Sequence, residues 1–312
     1  MMRGGLFQSY EMRDFYASTG FLEPFCFESR DGGVLKARIV GYIQSDGGPL
    51  RRFFSRRAIV NAGPLLSESC TPEELGSLLD LCVKKLRGKA IYLEFRNFYD
   101  YSDVCPVFES RGFEYRPHYD FWVDTSSPEI VESKMGKNRR RYIRQSFREG
   151  VVLDENPSEE RIAEYYTLLE RLYRTKVKTP LFPLPFFLNL SKTGFGRIIL
   201  VIFQEKVVGG VVLASGDGAV YEWFVCGEDG IYNHVYPSSV ATRAGMDFAV
   251  HNSFQCFDMM GAGAPGDGGY GVRDFKAEFG GELKEFGRFV KVLNRPLYTI
   301  GALGVKMLKK LK

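Results

Sequence analysis

Two stretches of this chain, one in each half, close in the same way. Phe108-Glu-Ser-Arg-Gly-Phe-Glu and Phe275-Lys-Ala-Glu-Phe-Gly-Gly each read as a short helix that stops at glycine and feeds a final strand. The elements ahead of them repeat as well. In the first half, strand Val34–Ile43 turns at Asp46-Gly47-Gly48 into strand Arg51–Val60, and helix Pro72–Leu86, strand Ile91–Phe95, helix Asp103–Gly112 and strand Glu114–Asp124 follow. In the second half, helix Ser158–Lys176 and a short helix Phe186–Ser191 lead into a hairpin, Ile198–Phe203 with Val207–Ala214. Strand Ala219–Cys226, helix Tyr236–His251, strand Phe254–Met259, a short helix near Arg273–Phe279 and strand Lys284–Leu293 complete it. This order predicts one mixed α+β unit built twice. A length of 312 residues agrees, since two domains of roughly 150 residues is the expectation at that size.

A hydrophobic content of 45% describes a well-cored globular chain. The net charge of only +4 means that a basic function has to come from local clustering. Six cysteines (Cys26, Cys70, Cys82, Cys105, Cys226, Cys256) form no CxxC pair and have no metal-ligand spacing with His118, His234 or His251. They read as reduced thiols, and no metal site is expected. The N-terminus carries no secretory pattern, and no apolar run approaches the ~18 residues that cross a bilayer. A soluble, cytoplasmic protein is expected.

The strongest charge anomaly lies between the halves. Seven of the fifteen residues from Lys134 to Arg148 are basic and none is acidic. On a helix, Lys137, Arg141, Arg144 and Arg148 share one face, beside an apolar stripe of Ile143, Phe147 and Val151. So many like charges repel one another unless an anion is bound. Arg139, Arg140, Arg141 and Arg144 are therefore candidate ligands for a diphosphate, an RNA backbone or acidic side chains. The alternative is a solvated helix joining the domains. The predicted boundaries are a domain over 1–132, the basic connecting helix 133–150, a domain over 151–294 and a basic C-terminal segment 295–312.

A second anomaly is the glycine-laden loop Gly261–Gly269, followed by Lys276 between Phe275 and Phe279. Gly261-Ala-Gly-Ala-Pro-Gly266 satisfies GxGxxG, but Pro265 and the turn residues after it leave no place for a dinucleotide-binding helix. A cation on an apolar element beside such a loop suggests an anion site. Asp258 ends the strand before the loop, as a base if burial raises its pKa or else as a structural hydrogen-bonding group. Tyr221 and Glu222 lie mid-strand nearby.

In order and spacing, four motifs resemble the FemABX group of peptidoglycan bridge-forming aminoacyltransferases and the wider set of tandem GNAT-fold acyltransferases. These are Asn61-Ala-Gly-Pro after a hairpin, Arg139-Arg-Arg-Tyr-Ile-Arg144 ahead of Gly150-Val151, Val207-Val-Gly-Gly210, and Phe275-Lys276 before Phe279-Gly280. The resemblance spans about Val34 to Val292. It implies two tandem GNAT-like domains sharing an inter-domain cleft, and a substrate-contacting role for Lys276 in which its charge stabilises a developing oxyanion or holds an acceptor phosphate. Phe275, Tyr221, Glu222, Gly263 and Tyr270 join the arginines as expected substrate-binding residues, with Lys276 and Asp258 as the catalytic pair. Between Asp154 and Ile198 there is no room for the coiled-coil arm that some members carry.

The expected reaction is transfer of an aminoacyl or acyl group to an amine of a peptidoglycan-precursor-like acceptor. No covalent enzyme intermediate or permanently bound cofactor is expected, and the donor is aminoacyl-tRNA or acyl-CoA. Acetyl-CoA-binding GNAT domains carry a glycine-rich pyrophosphate loop, whereas Ile231–Pro237 here has no glycine. That counts against the CoA reading. A non-catalytic protein that binds nucleic acid through the basic helix is the reading from another class. The C-terminal stretch Leu297–Lys312, basic and amphipathic, fits either a packed terminal helix or contact with the inner membrane surface.

Overall fold

The structure, a computed structural model, describes residues 5–45, 53–177, 179–266 and 271–301. The chain divides into two compact units. One comprises Met1–His118 with Glu285–Lys312, and the other Tyr119–Lys284.

In the first unit, α1 (Tyr10–Ser18) leads to β1 (Glu23–Asp31), β2 (Val34–Gln44), β3 (Arg57–Asn61), β4 (Leu65–Leu66), α2 (Pro72–Leu86), β5 (Tyr92–Arg96), α3 (Cys105–Ser110) and β6 (Glu114–Arg116). Helix α2 shows why this local sequence is helical. Thr71 and Glu74 form a reciprocal capping box with Pro72 in the first turn, and Leu75, Leu78, Leu79, Cys82, Val83 and Leu86 make one buried stripe. That stripe packs with Ile39, Val60, Leu93 and Phe95 of the sheet. The sequence reading lacks α1 and β1 and runs a strand through 51–56, where the described residues 53–55 are helical.

The second unit runs β7 (Tyr119–Asp124), α4 (Pro128–Lys134), α5 (Lys137–Arg148), β8 (Val152–Asp154), α6 (Glu159–Leu172), α7 (Leu184–Leu190), β9 (Gly196–Phe203), β10 (Lys206–Gly216), β11 (Ala219–Gly227), α8 (Pro237–His251), β12 (Cys256–Gly261), α9 (Gly271–Ala277) and β13 (Glu282–Glu285). Its sheet is ordered β13-β7-β12-β11-β10-β9-β8. Helices α4, α5, α8 and α9 contribute Val131, Ile143, Val240, Ala244 and Phe275 to a core on the sheet. A second cluster of rings, Phe186 and Phe187 of α7 against Phe224 of β11, is built with α6, whose Tyr165 hydroxyl donates to the Gly210 carbonyl. Gly209 is required by close approach, since a Cβ there would stand 2.9 Å from both Pro237 and the Cys226 carbonyl.

The remaining strand, β14 (Arg288–Val292), returns to the first unit and lies between β5 and β6, giving the order β1-β2-β3-β5-β14-β6. Each sheet contains a parallel step, β3 with β5 and β11 with β12, and a helix bridges each step. This is the tandem mixed α+β plan expected from the sequence. Among the described residues no coiled-coil arm leaves the second unit.

Two predicted strands are in fact broken, and each serves both sheets. Glu114–Asp124 is β6 in the first sheet and β7 in the second, separated at Pro117, which has no N–H for a ladder. Lys284–Leu293 likewise falls to β13 and β14 around Gly287, whose φ is +66° and where a Cβ would stand 2.3 Å from the Tyr115 ring. The chain therefore passes from one unit to the other at residues 118/119 and 284/285, rather than after 132 and 294. The basic segment is no connector. It breaks at Gly136 into α4 and α5, and α5 buries Arg139, Ile143 and Ser146 within the second unit.

Candidate functional site

The site begins where a strand pair ends. Strands β11 and β12 pair at Ala219/Cys256, Val220/Phe257 and Tyr221/Asp258, and at no later position. On the other side of β11, Val212 faces Phe224 and Leu213 faces Glu222, so Trp223 is bulged out. Beyond the last pair, β12 continues through Met259, Met260 (φ +57°) and Gly261.

Lys276 fills this opening. It is 7% exposed, and its ammonium donates to the carbonyls of Met259, Met260 (3.0 Å) and Gly261 (3.0 Å). An ammonium has three N–H groups, and all three are committed to backbone. The flanking phenylalanines put it there. Phe279 is fully buried, Phe275 packs 5.2 Å from it, and each fully buried ring contributes about 1.5–3 kcal/mol. The oxyanion contact expected of Lys276 would need an N–H that backbone carbonyls hold in this arrangement.

Three buried carboxylates, Asp120, Glu222 and Asp258, act electrostatically on this ammonium, while burial pulls its pKa down. Asp258 accepts from the Met260 N–H (2.6 Å) at Oδ1 and from the Trp122 indole (3.1 Å) at Oδ2. Both oxygens are thus used to fix the turn after β12. Burial raises its pKa, and Met260, Lys276 and Trp122 oppose the rise. Glu222 differs. Its Oε1 accepts from the Thr242 hydroxyl (2.7 Å), and its Oε2 is buried with no hydrogen-bond partner. Burial pushes Glu222 up to about 7 although Lys276 pulls it down, a rise that Asp258 shares, so the unpartnered oxygen alone sets the two apart. A carboxylate with one unengaged oxygen and a pKa near neutrality can accept a proton.

Arg139, grouped from the sequence with the phosphate ligands, is instead built into the core. Its guanidinium donates to Ser239 Oγ (2.5 Å), pairs with Glu278 (2.8 Å), and lies 4.4 Å and 5.0 Å over the rings of Phe275 and Phe279. Arg139 therefore ties α5 to α8 and to the helix that carries Lys276. Arg139→Lys removes the planar stacking and one of the two hydrogen-bonding arms. Urea unfolding should show a loss of about 1–3 kcal/mol.

Arg140 is half-buried with an unpartnered Nε. Arg141 is exposed over the Tyr142 ring, which stacks 4.2 Å from Tyr236. Arg144 is exposed and pairs with Glu132 (3.0 Å). Lys137, Arg141, Arg144 and Arg148 do form the exposed face that their spacing predicts.

Tyr221 is buried in register with Asp258. The Gly263 carbonyl accepts from the Tyr119 N–H (2.9 Å), and Arg273 donates to Ala262 (3.1 Å) and Ala264 (2.9 Å). The start of the glycine loop is held by backbone ties, and Tyr270 lies outside the described residues. No group of metal-ligating side chains occurs among the described residues.

The first turn of α8, where an acyl-CoA enzyme would cradle a pyrophosphate, is used by the protein itself. Asp229 accepts from Ser238 N–H (3.2 Å), and Ser146 Oγ accepts from Tyr236 N–H (2.9 Å). Sequence reasoning missed Thr242, Ser239, Trp122 and Asp120. The first two leave a trace as polar residues on the buried side of a helix of small residues.

Residues 204–305 match the model of the FemAB family, a segment that contains Tyr221, Glu222, Thr242, Asp258 and Lys276. No curated protein matches the sequence. Among solved structures, that of FemX superposes with a TM-score of 0.72 at 13% identity, over 96% of this chain and 94% of that one. The C-terminal domain of a putative lysylphosphatidylglycerol synthetase from Agrobacterium fabrum gives 0.62 at 14%, over 96% and 92%. L-PGS from Bacillus licheniformis gives 0.60 at 15%, over 94% and 91%. The likeness to the FemABX group read from four short motifs is thus supported on two grounds, a match to the FemAB-family model over residues 204–305 and a FemX-like fold over nearly the whole chain.

Proposed function

We propose that this chain is an aminoacyltransferase that moves an aminoacyl group from an RNA-borne ester to an amine of a peptidoglycan-precursor-like acceptor. The observation that carries the reading is the unengaged Glu222 oxygen, buried beside Lys276 where β11 and β12 part. The acceptor amine attacks the ester carbonyl carbon, the new C–N bond forms, and the ester C–O bond breaks. Glu222 takes the proton from the attacking nitrogen and returns it to the leaving ribose oxygen. Lys276 holds the β12 carbonyls and supplies positive charge behind the reacting centre. No side chain becomes acylated. Such a donor places the reaction in the cytoplasm.

The use of the α8 first turn by Asp229 and Ser146 favours this donor over acyl-CoA. Incubation with radiolabelled aminoacyl-tRNA or acyl-CoA and an amine acceptor separates the two. Transfer from aminoacyl-tRNA alone is expected, and transfer from CoA alone overturns the reading. The exposed face of α5 would hold donor phosphates. A Lys137→Gln/Arg141→Gln/Arg148→Gln variant should raise KM for the donor while sparing kcat. It should also lower the slope of log KM on log salt by about 1 per residue.

A further inference from the structure

A second surface, far in sequence from the site, is apolar and cationic together. The described residues 53–57 read Phe-Phe-Ser-Arg-Arg, with two arginines and no acid. Phe53 and Phe54 are 49% and 36% exposed, and their rings meet edge to face at 5.2 Å. Half-buried Arg56 lies 5.0 Å over the Phe53 ring, and its Nε is buried with no hydrogen-bond partner.

The helical residues 295–301 of the same unit lie beside them. The Asn294 side chain caps this turn at the Leu297 N–H, and Tyr298 packs edge to face on Tyr92 of β5 at 5.8 Å. That leaves Ile300 turned outward, 52% exposed. A Cβ on Gly301 would stand 3.7 Å from the Phe54 carbonyl oxygen, so the two segments adjoin. Arg295 opens this turn, and none of the described residues 295–301 is acidic.

We propose that Phe53, Phe54, Ile300 and Arg56 form a docking surface for an anionic lipid membrane. Exposed aromatic and aliphatic side chains with cations around them have the composition of an interfacial patch. The rings enter the headgroup region and the cations meet acidic lipids. An RNA backbone would use the arginines and leave Ile300 without a role. A second copy of the chain would bring like charges together.

Co-sedimentation of the 312-residue chain with vesicles tests this, using phosphatidylcholine alone or with a third phosphatidylglycerol. Binding to the anionic vesicles only, weakened by salt, is expected. Phe53→Ser/Phe54→Ser should weaken it roughly tenfold, and Ile300→Ser should weaken it less. Both variants should keep the wild-type unfolding midpoint and the wild-type rate on a soluble amine acceptor, so failure here is distinct from failure of the transfer reading. Equal binding by the double variant, equal binding to both vesicles, or none at all overturns the proposal. So does self-association that the double variant abolishes without any vesicle binding.

Discussion

Lys276→Met should cost about 3–5 kcal/mol of stability, read as a fall in the urea midpoint, and should abolish transfer. The substitution leaves the Met259, Met260 and Gly261 carbonyls without the donor that serves all three. It also leaves Glu222, Asp120 and Asp258 without the cation that balances them in a dry site. A buried charge or polar group deprived of its partner bears its full desolvation penalty, and several are deprived at once. Lys276→Arg should rescue little. Three carbonyls converge on one nitrogen, and a planar guanidinium spreads its donors over a fork. If Lys276 acts only on a transition-state oxyanion, the methionine variant will be inactive with an unchanged midpoint. That result would refute the holding role assigned here.

How far this site could be read from the sequence follows from what its parts are made of. Lys276 stood out because two phenylalanines and a glycine loop frame it, yet its partners are main-chain carbonyls, which leave no mark in a sequence. Arg139 was grouped with its neighbours because all are arginines. Helical spacing nevertheless separates it from the face of Lys137, Arg141, Arg144 and Arg148, and the structure buries it against Phe275. Strand position alone suggests Asp258 as the base and Glu222 as a binding residue, and hydrogen bonding is not legible there: both Asp258 oxygens have partners, whereas one Glu222 oxygen has none. The repeat of helices and strands was legible through capping signals and periodicity. The exchange of strands between the sheets was not. Pro117 and Gly287 look like residues inside a strand, and periodicity says nothing about which sheet a strand joins. Strand β1 escaped notice because its residues are mostly half-buried, without a clean alternation.

Glu222→Gln should lower transfer about 10²–10⁴-fold while stabilising the fold at alkaline pH. Glutamine keeps the acceptor for Thr242 but cannot take a proton. In the native protein kcat/KM should rise with pH through about 7 as Glu222 ionises, and in the variant that limb should vanish. Stability runs the other way. The folded protein holds this proton up to about 7, whereas the unfolded chain releases it near the ordinary glutamate value of 4.5, so between these values the folded state binds more protons. The contribution is fully present below 4.5 and is lost as pH rises through 7. For a shift of this size it amounts to roughly 3 kcal/mol. Urea midpoints of the native protein should therefore fall from pH 5 to pH 8, and those of Glu222→Gln should fall less. Asp258→Asn supplies the contrast. It disturbs the Met260 and Trp122 contacts and should lower the midpoint, yet it should leave the rising limb of the pH profile in place. Should Asp258→Asn erase that limb and Glu222→Gln retain it, the proton acceptor is Asp258, and the unengaged oxygen of Glu222 has no part in the chemistry.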